Sequence, residues 1–308
     1  MQALRRKTMG AIIGASMALA PATAMGVSVD VAEVSTAPAM KPIRIDVAYA
    51  HRLETELDSG GEFDINTYRT SIAGSMALSD VLRWDNGFVY ERNDYGIDAN
   101  DDFDANLMSF RSILFYGMSS DWTLFGGGLL RLAAESGADQ GDGISAGGIA
   151  GFIHKCSPTL SVGLGIAVLS DIEDDVTIAP LPIVEWAFAQ GWHLHVGATQ
   201  YGARNGLGGG VSTMITDSLE LTAGAQYERR RFRLDERVGK LDEGVAEETS
   251  IPLYLQASWA FSEMASIDVF GGVAVGGTLT IDDEDGDEIS EDDFDPTGTF
   301  GARLNIRF

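Results

Sequence analysis

The stretch GTFGARLNIRF (298–308) decides the fold. Gly298, Phe300, Ala302, Leu304, Ile306 and Phe308 share one parity; Thr299, Gly301, Arg303, Asn305 and Arg307 share the other. Side chains alternate across a strand with period two, so such a segment puts one face against an apolar medium and the other against a polar one. Helical spacing would scatter the same residues around a cylinder.

Working back along the chain, the same phase recurs. Ile251, Leu253, Leu255, Ala257, Trp259 and Phe261 oppose Tyr254, Gln256 and Ser258. Leu160, Val162, Leu164, Ile166 and Val168 oppose Ser161, Gly163, Gly165 and Ala167, and Ile43, Ile45, Val47 and Tyr49 oppose Arg44, Asp46, Ala48 and Ala50. The pattern predicts strands near 43–53, 66–78, 82–92, 106–118, 122–133, 144–155, 159–169, 178–189, 192–200, 206–215, 219–234, 249–261, 265–281 and 297–308. The count is fourteen, falling to twelve if two weak segments are loops.

Connections between these strands alternate in length. Ser119-Ser120-Asp121, Gln190-Gly191, Thr216-Asp217-Ser218 and Ser262-Glu263-Met264 are tight turns. The others, 54–65, 93–105, 134–143, 170–177, 235–248 and 282–296, are long and acidic, and only 201–205 is short. Up-and-down strands put alternate connections at opposite rims, which explains this alternation. Of the 46 carboxylates, 33 fall in those connections, against Arg204, Arg237 and Lys240. The net charge of −25 therefore belongs to one rim, and a basic nucleic-acid footprint is absent.

The N-terminus carries a different signal. Arg5, Arg6 and Lys7 precede a short apolar run from Met9 to Ala20, and Ala22-Thr23-Ala24 offers a small-residue cleavage site. Residues 1–24 are expected to be a secretory signal peptide, 25–41 a lead-in, and 42–308 one barrel domain. No later run is apolar for long enough to form a spanning helix. Cys156 is the single cysteine, so no intrachain disulfide can form.

These features together resemble the outer-membrane β-barrel proteins of Gram-negative bacteria, porin-like in class. The resemblance rests on the leader, the dyad pattern and the terminal aromatic strand. It implies a transmembrane up-and-down antiparallel barrel in the bacterial outer membrane, with outer-membrane lipid and the barrel assembly machinery as partners. Phe308, Ile306 and Leu304 would then carry the assembly signal.

Charges on a lipid-facing position cost a few kcal/mol each, so the polar parity should face a lumen. Arg44, Arg52, Arg69, Arg83, Arg111, Arg131, Arg303 and Arg307 line one expected wall; Glu185, Glu220, Glu228 and Asp268 lie partly across from it. Such a basic wall facing an acidic one would orient polar solutes. Trp84, Trp122, Trp186, Trp192, Trp259, Phe261 and Phe308 near strand ends suit interfacial girdles. His193 and His195 share the inward parity and could in principle chelate a metal with Glu185 or Glu220, but two histidines on one strand face are more often polar lumen lining, and no metal is expected. The acidic tracts 98–102 and 282–287 approach a calcium loop but break its phase, at Phe103 and Ile281, leaving divalent cations as possible partners of external loops. No serine, histidine or carboxylate set suggests catalysis, and no cofactor motif is present. The expected function is a passive channel for small hydrophilic solutes. The alternative is a non-conducting structural or surface-exposed barrel.

Overall fold

The computed structural model describes residues 41–97, 103–172, 176–235, 244–283 and 286–308. The expected signal peptide, the lead-in up to residue 40 and the whole acidic tract 98–102 lie outside these residues. In order the strands are β1 (Lys41–Glu56), β2 (Glu62–Ser79), β3 (Leu82–Ile97), β4 (Phe103–Gly117), β5 (Trp122–Glu135), β6 (Ile144–Ser157), β7 (Leu160–Ser170) and β8 (Val176–Ala189). There follow β9 (Trp192–Thr199), β10 (Gly206–Thr216), β11 (Leu219–Arg233), β12 (Val245–Ser262), β13 (Ala265–Asp282), β14 (Glu288–Phe294) and β15 (Thr297–Arg307).

Each strand pairs antiparallel with its chain neighbour from β1 to β13. Closure comes from β15, which pairs with β13 on one side (Asp268↔Arg303) and with β1 on the other (Val47↔Leu304). β14 and β15 are two halves of one wall strand. Both pair with β13 in a single register, Gly277↔Phe294 and Ala274↔Thr297, and the break falls at Asp295-Pro296. Proline has no N–H to give to the ladder. The wall is therefore a closed antiparallel barrel of fourteen strands.

Closure matters because the outer face is apolar. Leu255 is 70% exposed and Ile178 59%, and the exposed apolar set runs around the wall from Val47 to Leu304. No water-soluble fold leaves so continuous an apolar surface uncovered. In hydrocarbon every backbone N–H and C=O must be paired, and closure leaves no open edge. Trp122, Trp192, Trp259, Phe261 and Phe308 are exposed beside the short turns, where a girdle places them.

The strands are longer at one end than the alternation indicates. β2 has 18 residues, more than the roughly ten a tilted strand needs to cross a bilayer. The surplus lies at the long-connection rim, where parts of the expected loops 54–65, 93–105, 235–248 and 282–296 are strand. Acidic side chains there stand on ladder positions such as Leu279↔Asp292, so the polar run hides a paired backbone.

The wall is uneven. β9 has only 8 residues, and β8 pairs with it from Val184 to Ala189. Pro180 and Pro182 occupy the part of β8 above that pairing. Over this low stretch the taller strands lean together: Arg233 of β11 meets Ala134 of β5 across the barrel. Arg131 donates to the Arg231 carbonyl at 2.9 Å, and the Asp235 N–H donates to Glu135 at 2.9 Å. The long-connection mouth is thus pinched into two lobes.

Both lobes are packed inside. Phe63, Ile65, Tyr95, Phe232 and Phe294 fill the upper part of one, with Tyr95 stacked on Phe103 at 4.6 Å. Phe125, Ile149, Leu181 and Ile183 fill the other, joined by Leu207 from β10. The expectation of a polar inner face fails along part of β4–β8, where Ile113, Phe115, Phe125, Leu129, Ile149 and Leu181 pack together inside, although Arg131 and Glu185 keep polar inward positions on the same strands.

Candidate functional site

The short connection between β9 and β10 turns into the barrel. Tyr201, Ala203, Arg204 and Asn205 are all buried, although a connection at a rim would be solvated. Gly202 makes the turn at φ +75°, a region that side chains disfavour, and a Cβ there would meet the Tyr254 ring at 2.9 Å. The Tyr201 ring lies against Gly210 and Gly224, where a side chain would occupy its place. Tyr201 and Ala203 also pack with Ala48, Ala50, Tyr254 and Phe270.

Buried backbone groups need partners, and the wall supplies them. Gln226 of β11 accepts from the Tyr201 N–H at 2.9 Å and donates to the Tyr201 and Arg204 carbonyls at 3.0 and 3.2 Å. Arg303 donates to the carbonyls of Gln200 and Gly202, each at 3.2 Å, and Arg69 to that of Ala203 at 3.1 Å.

Arg204 is the hub. Its Nη1 lies 3.0 Å from both carboxylate oxygens of Glu248 and 3.5 Å from Glu228, while Nη2 donates to Asn93 at 2.7 Å. Arg52 and the Tyr95 hydroxyl also donate to Glu248. Nearby, Arg230 donates to Glu91 at 2.9 Å, and Gln226 to Glu228 at 2.6 Å. Glu228 and Glu248 are each 1% exposed, so desolvation is nearly complete and these arginines take the place of water as their partners.

Arg52, Arg69, Arg131, Arg303, Glu228 and Asp268 are buried in the interior. Arg44, Arg83, Arg111, Glu185 and Glu220 are half-buried. Arg83 lies over the Phe115 ring at 4.3 Å, and Arg307 is exposed at the short-turn rim. Arg44 pairs with Asp46 on its own strand at 3.1 Å and Arg303 with Asp268 on the adjacent strand at 2.6 Å, while Arg52 and Arg230 reach across the interior to Glu248 and Glu91, because a charge out of water is stable only when paired.

Sequence reasoning missed Arg204, Glu248, Glu91, Arg230 and Gln226. The one available signal was the odd brevity of 201–205 at a rim of long loops.

Below this plug, at the short-turn end, lies a cavity of about 520 Å³ bounded by Arg44, Glu185, His195, Tyr201, Glu220 and Arg303, among others. His195 Nδ1 is bonded to Glu185. Among the described residues, no group of three or more histidine, cysteine or acidic side chains is placed to hold a metal ion.

The fold and interior define the class: a closed, apolar-walled β-barrel of the porin-like type whose lumen is occupied by its own chain. The chain belongs to the family described as Domain of unknown function (DUF6268), matched over residues 135–307. Among curated proteins, none matches. Among solved structures, the COG4313 outer membrane channel from Pseudomonas putida F1 is 12% identical, with 91% of this chain and all of that chain covered and a TM-score of 0.49. The P. putida toluene transporter TodX is 10% identical, covering 88% of this chain and 91% of that one, TM-score 0.44. The translocator domain of autotransporter NalP from Neisseria meningitidis is 12% identical, covering 87% and 88%, TM-score 0.40. The fold assignment rests on the strand pairing itself.

Proposed function

We propose that the protein is an integral outer-membrane channel for small hydrophilic solutes, held closed in its resting state by the segment 200–205. The apolar exterior and closed ladder support residence in lipid, with the short turns toward the periplasm and the long acidic connections outside. Arg204 carries the reading. A connection that could have stayed in solvent is instead folded inward and fastened to five strands of the wall by way of Thr67, Asn93, Glu228, Glu248 and the Gln226 amide, with Arg303 holding Gly202. In that position it blocks the axis. The exported precursor and recognition of Phe308 by the assembly machinery belong to the same proposal, as does loose divalent-cation contact at the acidic rim.

A second reading, a non-conducting structural barrel, is favoured by the β5–β11 contact that pinches the mouth. Planar-bilayer recording separates the two. Wild-type protein should show rare, small openings, and Arg204→Ala frequent larger ones. Silence from both at every voltage would remove the channel and leave the structural barrel.

A further inference from the structure

The cavity at the short-turn end has an unbalanced charge. On one side stand Glu185 of β8, His193 and His195 of β9 and Glu220 of β11; across from them stand Arg44 of β1 and Arg303 of β15. The arginine side is already neutralised. Arg303 spends Nε and Nη2 on Asp268 and Nη1 on the plug carbonyls, and Arg44 is paired with Asp46. On the acidic side, Glu185 is bonded to the imidazole of His195 and forms no ion pair with an arginine or lysine among the described residues. Glu220 makes no ion pair among the described residues. Tyr201 forms the roof, its ring laid on Gly210 and Gly224 and its hydroxyl within electrostatic reach of both Glu185 and Glu220.

Two carboxylates and an aromatic ring around a half-enclosed space form the chemical complement of an ammonium group. A volume of about 520 Å³ falls within the range of small-molecule sites. A divalent metal is a poorer fit, because the described carboxylates and histidines do not converge as a ligand set. We propose that this cavity binds a small organic cation bearing one or two amine groups, held by Glu220 and Glu185 beneath the Tyr201 ring. The inference deepens the channel reading by naming its solute class. Binding at equilibrium, however, requires no passage through the plug.

The test is calorimetric titration of the detergent-solubilised barrel with 1,4-diaminobutane, and with succinate as a charge-inverted molecule of the same length. Diaminobutane should bind saturably and succinate should not. Glu220→Gln should weaken diaminobutane about tenfold, the usual effect of removing a charged hydrogen-bond partner. Glu185→Gln should weaken it as well, and Arg44→Gln should leave it unchanged or tighter. Heat-shifted gel migration checks that each variant is folded; if Glu220→Gln loses that shift, the wild-type preference for diaminobutane over succinate decides. Equal binding of succinate, no saturable diaminobutane signal at millimolar concentration, or a folded Glu220→Gln with unchanged affinity would overturn the proposal. A barrel that binds diaminobutane and never conducts would keep this site and lose the channel.

Discussion

Arg204 and Glu248 face each other inside the barrel with one guanidinium nitrogen 3.0 Å from each carboxylate oxygen, joining the β9–β10 connection to the inner face of β12. Both side chains are almost wholly withdrawn from solvent. Such a pair contributes little net stability when intact, yet removing one partner leaves the other charged and unsolvated. The plug is therefore fastened by the cost of releasing it.

Arg204→Ala should expose that cost. Losing one partner of a buried pair typically costs about 3–5 kcal/mol. The barrel ladder is untouched, so the loss should be local. Hydrogen exchange at the Tyr201 amide, which bonds to Gln226 in the wild type, should accelerate at least about a hundredfold while the β1–β15 amides stay protected.

Gly202→Val should release the same segment by a different route. The residue would need φ +75° with a branched side chain, and its Cβ would enter the Tyr254 ring. Exchange at residues 200–205 should rise as it does for Arg204→Ala. Adding Tyr254→Ala should restore only part of the protection, because it relieves the clash and not the backbone strain.

Asp171, in the β7–β8 connection, gives a pH signature at the outer rim. Burial alone would raise its carboxyl, but Arg229, Arg131 and Arg231 outweigh that and hold it below the ordinary aspartate value of 3.8. Arg229 lies 2.9 Å away. A depressed folded value means that the unfolded chain takes up the proton first as pH falls. The stabilisation is thus complete above 3.8 and disappears as pH drops through the lower folded value. Thermal midpoints should show Asp171→Asn less stable than wild type at neutral pH, with the difference vanishing in strong acid.

Leu181→Ala tests the packed lobe. Leu181 is 3% exposed on the inner face of β8, within the cluster formed with Phe125, Ile149 and Ile183. Truncation should cost about 2–5 kcal/mol as a buried cavity. A water-filled lumen would instead make the change nearly neutral, so urea unfolding of the folded barrel distinguishes the two interiors.

What the sequence made legible follows from what alternation can encode. Parity along residues 298–308 and 251–261 identified the wall strands, because each strand separates its own two media locally. Alternation could not reveal what fills the ring. Arg204 and Glu248 are 44 residues apart, and Arg52 is 196 from Glu248; only closure brings them together. The inner faces of β4–β8 escape parity for a related reason. Leu129 shares the parity of Arg131 yet is apolar and buried, so parity no longer says which face is inside. At the outer rim, Glu247 and Asp292 looked like loop residues because charge conceals strand when the strand rises into water.

Everything depends on the first strand pairing with the last, and a covalent bridge measures that most directly. In a Cys156→Ser background, Val47→Cys and Leu304→Cys stand opposite each other between β1 and β15 on the apolar face. A short bifunctional thiol reagent applied to the membrane-embedded protein should join them and give a circularised chain with altered mobility after boiling. The pair Val47→Cys and Leu253→Cys, with β13 and β15 between them, should remain linear. No bridge at 47 and 304, or equal bridging at 47 and 253, would contradict the closed barrel.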